Sequence, residues 1–256
     1  MTERKHIYFA SDFHLGYDDQ VNTRRRERII VDWLEEIRTS AKAIYLVGDV
    51  FDYWFEYKWT IPKGYVRLLG TLAKLVDSGV EIHFLKGNHD MWVYQYFAEE
   101  IGMIIHDDTA RFEDSGKHFF VDHGDGLGRG ERRYKLVRGI LRNRFLQRSF
   151  ARIHPSWGLR LMRKLSAASR ARHSAYEKDV HELPIRFANE LLGEEQVDFF
   201  IMGHRHQAVD RTLANGYSRY INLGDWVTQN TYVRWDGDEL ELLSYQSTNQ
   251  EMTTRS

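Results

Sequence analysis

The chain has no cysteine in its 256 residues. That excludes disulfide staples, thiolate zinc sites and a thiol nucleophile, and it fits a reducing compartment. No uninterrupted apolar run approaches the roughly 20 residues of a membrane-spanning helix. No charged-then-apolar leader precedes the first strand-like run, His6-Ile7-Tyr8-Phe9-Ala10. The expected location is therefore the cytosol, free or against a membrane surface. Net charge is nearly lacking too, at −1. What remains is ordinary for a globular protein: 42% apolar and 29% charged residues. The length suits one large domain, or one domain carrying an insertion. There is no internal repeat of solenoid period.

The small net charge hides an asymmetry. Residues 129–173 carry fourteen Lys and Arg, from Arg129 to Arg172, against the single acid Glu131. A basic block on an otherwise acidic body points to an anionic surface or ligand.

The chain is organised around Gly48-Asp49-Val50-Phe51-Asp52, which follows the apolar run Ile44-Tyr45-Leu46-Val47. Such a run reads as a buried strand. A Gly-Asp at its end puts a carboxylate at the sheet edge where open α/β sheets hold their ligands. The same grammar recurs at Ser11-Asp12-Phe13-His14, Gly87-Asn88-His89-Asp90, Asp122-His123-Gly124-Asp125 and Gly203-His204-Arg205-His206. Between these turns, residues 22–39 predict a helix with Ile29, Ile30, Trp33, Leu34 and Ile37 on one face. A second helix runs from Val66 to Val76, a strand from Val80 to Leu85, and a short helix from Tyr94 to Ile101. The alternation implies right-handed βαβ units.

From about 129 to 190 strand signals stop. Val137, Leu141 and Phe145 recur every four residues, and His154-Pro155-Ser156-Trp157-Gly158 marks a corner between helices. Strand grammar returns at Asp198–Met202, with hairpin signals at Asn215-Gly216 and Asp236-Gly237. The expected organisation is a core of 1–128 and 191–245, a helical cap insertion at 129–190, and a polar tail at 246–256.

Taken singly, each Asp-, Asn- or His-bearing turn is ordinary turn chemistry. Five of them behind apolar strands point to a pair of divalent cations. Asp12, His14, Asp49 and His206 would hold one ion, and Asp49, Asn88, His123 and His204 the other. A shared carboxylate offsets the repulsion of two cations held about 4 Å apart. This donor set suits Mn, Fe, Zn or Co, and its imidazoles argue against a pure Mg or Ca site. The chemistry expected is attack of metal-activated water on phosphorus. His89 is the candidate acid or donor at the leaving oxygen, with Asp90 as its orienting partner. Asp52 and Asp122 read as supports of the ligands.

In order, D-x-H, G-D-x-x-D, G-N-H-D, H-G and G-H-x-H resemble the calcineurin-like metallophosphoesterases, over most of the chain outside the basic insertion. That resemblance implies a four-layer α/β/β/α sandwich with an inserted helical cap. Ser11–Gly16, Gly48–Trp54, His123–Leu127 and the insertion before Gly203 further resemble the UDP-2,3-diacylglucosamine diphosphatase branch. Members of that branch cleave a nucleotide-sugar lipid to UMP and 2,3-diacylglucosamine 1-phosphate, a step towards lipid A. They usually use manganese, and act at the cytosolic face of the inner membrane, with the cap taking the acyl chains. The best-known members of that branch carry Arg where this chain has His89. Asn88, His89 and His204 are expected to face substrate, and among the fourteen cations of the insertion Arg133 and Arg170, with Lys135, are candidate contacts for diphosphate or uridine.

The basic insertion has three readings: a solvated helical face, helices against anionic lipid, or a nucleic-acid cradle. Its Leu, Phe and Trp content favours lipid, and no nucleic acid is expected. The rival activity is a soluble phosphodiesterase or phosphomonoesterase for nucleotides or phosphoproteins. A scaffold role is the rival outside enzymes, but scaffolds of this kind usually lose ligands and none is lost here. Oligomeric state is not legible in the sequence.

Overall fold

A computed structural model describes residues 4–127, 132–173 and 181–247. The first half contains β1 (His6–Ala10), α1 (Gln20–Ile37), β2 (Ala41–Val47), α2 (Val66–Asp77), β3 (Glu81–Leu85), α3 (Tyr96–Glu100), β4 (Ile104–His106), β5 (Ala110–Asp114) and β6 (Lys117–Asp122). Helices α4 (Arg132–Leu141), α5 (Arg144–Phe150), α6 (Pro155–His173) and α7 (Glu182–Leu191) follow. The chain then adds β7 (Phe199–Met202), β8 (Val209–Thr212), β9 (Arg219–Asn222), β10 (Thr231–Trp235) and β11 (Leu240–Ser244).

Two mixed sheets form, in the orders β11-β10-β1-β2-β3-β4 and β5-β6-β7-β9-β8. The pleat explains how they stack. Along β2, Ala43, Tyr45 and Val47 point one way, into a core shared with Phe119, Val121, Ile201 and Ile221 of the second sheet. Ile44 and Leu46 point the other way, against Trp33 and Leu34 of α1 and Leu68 and Leu72 of α2. A strand buried on both faces needs the continuous apolar run that marks β2 in the sequence.

The outer face of the second sheet is covered by α7. Ile185, Phe187 and Ala188 pack there on Phe120, Phe200 and Tyr220. The layers are therefore α/β/β/α. By sequence α7 falls within 129–190, yet by packing it forms the fourth layer.

Helices α4–α6 stand apart from these layers. The expected four-residue periodicity across 137–145 is interrupted at Asn143, whose side chain accepts hydrogen bonds from Phe145 N and Leu146 N and starts a new helix. Pro155 opens α6, where its missing N–H costs nothing. These helices meet the core where Leu141, Phe150 and Met162 pack on Phe55, Met91 and Trp92. Leu136, Phe145, Trp157 and Leu165 of these helices are exposed. Among the described residues no helix is long and apolar enough to cross a membrane. The 248–256 part of the expected tail and the cap boundary at 128–131 lie outside the described residues.

β1, β2 and β3 are mutually parallel, as are β6, β7 and β9. The five motif turns leave the carboxyl ends of β1, β2, β3, β6 and β7.

Candidate metal centre

The turns interlock through their backbones. Asp12 N donates to Gly48 O at 3.1 Å, His14 N to Asp49 O at 2.9 Å, and Leu15 N to Val50 O at 3.0 Å. Five side chains of the expected site sit in the left-handed region: Asp12 (φ 56°), His14 (44°), Asp49 (53°), His204 (69°) and His206 (54°). Non-glycine residues avoid that region, and strain held by a surrounding network is characteristic of functional sites.

The side chains then converge. Potential ligand atoms of Asp12, His14 and His206 lie within 4.8 Å of one another, as do those of Asp49, His123 and His204, and those of His14, Asp49 and His89. Asp49 joins the last two groups, and His14 joins the first to them. Asp49 Oδ1 accepts from His89 N at 2.8 Å. Its Oδ2 lies 3.8 Å from His14 Nε2 and 3.4 Å from His123 Nε2.

Hydrogen bonding indicates what this arrangement fits. His123 Nδ1 lies 2.9 Å from the carbonyl of Val47, which can only accept, so Nδ1 carries a proton. In the neutral ring Nε2 then presents a lone pair to two oxygens, Asn88 Oδ1 at 3.2 Å and Asp49 Oδ2 at 3.4 Å. Either a second ring proton or a cation between them removes that repulsion, and the Val47 carbonyl is the kind of outer contact that fixes a ligating histidine. Across the centre, His14 Nε2 and His206 Nε2 are 3.2 Å apart. Asp12 Oδ1, buried and without a hydrogen bond, is 3.5 and 3.2 Å from those two nitrogens. The donor set fits divalent metal on both sides of Asp49.

The titration behaviour agrees. Burial would raise Asp12 and Asp49, but His206 and His14 hold Asp12, and His123 and His89 hold Asp49, well below the usual carboxylate range. Burial would lower His14, but Asp12, Asp52 and Asp49 push it up to about 10. Burial would likewise lower His123, which Asp49 drives well upward. His204 is pushed well down by burial and by neighbouring His123.

One expectation needs correction. Asp90 does not orient His89. Its carboxylate accepts from Val50 N at 2.8 Å, Gly87 N at 2.8 Å, and Phe51 N and Asp49 N at 3.3 Å. It therefore ties the Asp49 turn to the Asn88 turn. Burial and the nearby Asp49 push it up to about 7. The groups at the His89 ring are instead the Asp52 carbonyl, 3.0 Å from Nδ1, and Ser166 Oγ at 2.9 Å. Asp52 Oδ1 is 3.6 Å from both His89 Nδ1 and His14 Nδ1. Burial lowers His89, with Asp49 opposing, so the ring is neutral at pH 7, and the Asp52 carbonyl, which can only accept, places its proton on Nδ1.

Asp122 steadies the His123 turn by accepting from Gly124 N at 2.8 Å and Thr109 Oγ1 at 2.7 Å. Arg133 and Arg170 belong to α4 and α6, but their side chains lie outside the described residues, as does that of Lys135. Sequence reasoning missed Ser166. A lone serine within an arginine-rich helix carries no signal of its own.

A family model described as Calcineurin-like phosphoesterase matches residues 5–208, and the chain belongs to that family. It is similar to the UDP-2,3-diacylglucosamine hydrolase of Porphyromonas gingivalis, at 41% identity over 94% of this chain and 98% of the relative. The enzyme of the same name from Neisseria meningitidis serogroup A is 29% identical over 91% of this chain and 95% of its own length. That of Klebsiella pneumoniae is 26% identical over 93% and 98%. The chain is accordingly a hydrolase of phosphate ester or anhydride bonds.

Proposed function

We propose that this hydrolase cleaves the pyrophosphate of UDP-2,3-diacylglucosamine, giving UMP and 2,3-diacylglucosamine 1-phosphate in the lipid A pathway. The carrying observation is near full-length similarity to a hydrolase named for that substrate, in a chain where Asp49 Oδ2 lies beside both His14 of one ligand group and His123 of another. Asp12, His14, Asp49 and His206 would hold one divalent ion, and Asp49, Asn88, His123 and His204 the other, with manganese the metal proposed. When bound, the ions supply an activated water and neutralise phosphoryl oxygens.

The chain's own residues do the rest. Asp49 Oδ1 is held by His89 N–H, and Oδ2 faces His14 Nε2 at 3.8 Å and His123 Nε2 at 3.4 Å. The leaving group is a phosphate monoester, whose second pKa near 6 means it departs as a stable anion with little demand for an acid. His89 therefore serves to orient and to exchange a proton at Nε2. An acid role there needs a second proton on the ring, which Asp49 and Asp52 both favour.

The same proposal places α4–α6 against anionic lipid at the cytosolic face of the inner membrane. Supporting it, Leu136, Phe145, Trp157 and Leu165 are exposed on helices rich in arginine. Such faces combine apolar burial with attraction to anionic headgroups.

The test is release of UMP from UDP-2,3-diacylglucosamine in detergent, stimulated by manganese and abolished by Asp49→Ala. Turnover of small soluble phosphoesters with no UMP release would leave the hydrolase standing and remove this substrate. Sedimentation with phosphatidylglycerol vesicles, but not with phosphatidylcholine, checks the membrane contact.

A further inference from the structure

One of the helices between β6 and β7 reaches the candidate centre. Gly158, Met162 and Ser166 are spaced by four residues along α6 and so lie on one stripe. That stripe is the docking face. At Gly158 the helix approaches so closely that an added Cβ would collide with the Tyr57 hydroxyl and stand 3.2 Å from the Phe150 ring. One turn on, Met162 packs into the Phe55, Met91 and Trp92 cluster. Another turn on, about 12 Å along the axis from Gly158, Ser166 is 8% exposed and reaches the reaction centre.

The hydrogen-bond directions there follow from chemistry. Ser166 Oγ donates to Asp52 Oδ2 at 2.9 Å. With its proton so committed, the hydroxyl accepts from His89 Nδ1 at 2.9 Å. The Asp52 carbonyl, 3.0 Å from the same nitrogen, can only accept as well. Both contacts thus require the proton on Nδ1 and leave Nε2 for the metal side. They also hold the ring edge-on to His14, with centroids 4.9 Å apart at 88°.

We propose that Ser166 is a positioning residue for His89, so that seating of the inserted helix α6 completes the reaction centre. Core turns supply the ion ligands, and the insertion supplies the hydroxyl that fixes the imidazole. This rests on the hydrolase reading and on the role given to His89, but not on the identity of the substrate.

The test compares wild type with Ser166→Ala on two substrates, UDP-2,3-diacylglucosamine and the chromogenic diester bis(4-nitrophenyl) phosphate, with bound metal measured in both proteins. The expected result is a fall in kcat of about 10- to 100-fold on the diester, with KM within about twofold and metal content unchanged. A kcat within twofold of wild type overturns the proposal, as does a rise in KM alone, which would make Ser166 a substrate contact. If wild type cleaves the diester but releases no UMP, the substrate reading fails and the diester still decides Ser166. A second measurement does not need the variant to fold. In zinc-loaded wild type, ¹⁵N spectra of the histidine rings should show His89 protonated at Nδ1 and bare at Nε2. The opposite tautomer overturns the proposal.

Discussion

Asp49 stands where a side chain on Gly87 would have to go. A Cβ at Gly87 would collide with Asp49 Oδ1 and come within 2.5 Å of Asp49 N. The glycine of the G-N-H-D motif is therefore set by the close approach of two ligand turns. Gly87→Ala should push Asp49 out of place at a cost of about 1–3 kcal/mol, and bound metal should fall with it. Gly70, in α2, meets nothing within 4 Å. Gly70→Ala should raise stability by about 0.5–1 kcal/mol with metal content unchanged. Denaturant midpoints and elemental analysis of the two variants check the contrast.

Sharing of Asp49 makes a stoichiometric prediction. Asp49 Oδ2 approaches His14 at 3.8 Å and His123 at 3.4 Å, whereas His206 groups only with Asp12 and His14. Asp49→Asn should weaken both ions, while His206→Ala should spare the ion held with His123 and His204. Metal per chain after gel filtration distinguishes the cases. Equal loss in both variants would contradict a centre joined through one carboxylate.

The legible part of this site was the part written in consecutive residues. Asp12, His14, Asp49, Asn88, His123, His204 and His206 each follow an apolar run, so strand grammar exposes them. The layered fold was implied by the family resemblance of those motifs, and the burial of β2 on both faces agrees with it. What stayed hidden depends on distant partners. Asp90 was misassigned because its hydrogen bonds run to the backbone of residues 49–51, some 40 positions away, and backbone donors leave no mark on composition. Ser166 is 114 residues from Asp52 and 77 from His89. The fourth layer was folded into the insertion because α7 is amphipathic like its neighbours, and only the second sheet decides where its apolar face goes.

Asp90 provides a way to test the correction. It accepts four backbone N–H groups with two oxygens and is buried. Asp90→Asn replaces one of those oxygens with an NH₂ group, a donor facing donors. The unpaired groups should cost about 1–3 kcal/mol. Metal affinity should fall about 10- to 100-fold, as when an outer contact of a metal ligand is lost. Since Asp90 does not touch His89, kcat at saturating metal should remain within a few-fold of wild type. A large kcat loss at full metal occupancy would restore the orienting role.

Metal uptake should be coupled to proton release. In the metal-free protein His14 is pushed up to about 10, with Asp12, Asp52 and Asp49 overcoming burial, and His123 is also driven well above 6.5 by Asp49. Both rings are therefore protonated at pH 7, and each must give up its proton to ligate. His204 is held neutral and Asp12 and Asp49 ionised, so they release none. About one proton per ion should appear on binding, and affinity should rise with pH through about 10, where His14 gives up its proton. The folded-state sign is the reverse. Protons held more tightly by the native than by the unfolded chain stabilise the metal-free fold fully below about 6.5, and this contribution is lost as pH rises through about 10. Calorimetric titration at pH 7 in two buffers of different ionisation enthalpy counts the protons. Urea midpoints with and without metal across pH 6–10 should diverge as pH rises, and parallel curves would refute the pairing of His14 and His123 with these carboxylates.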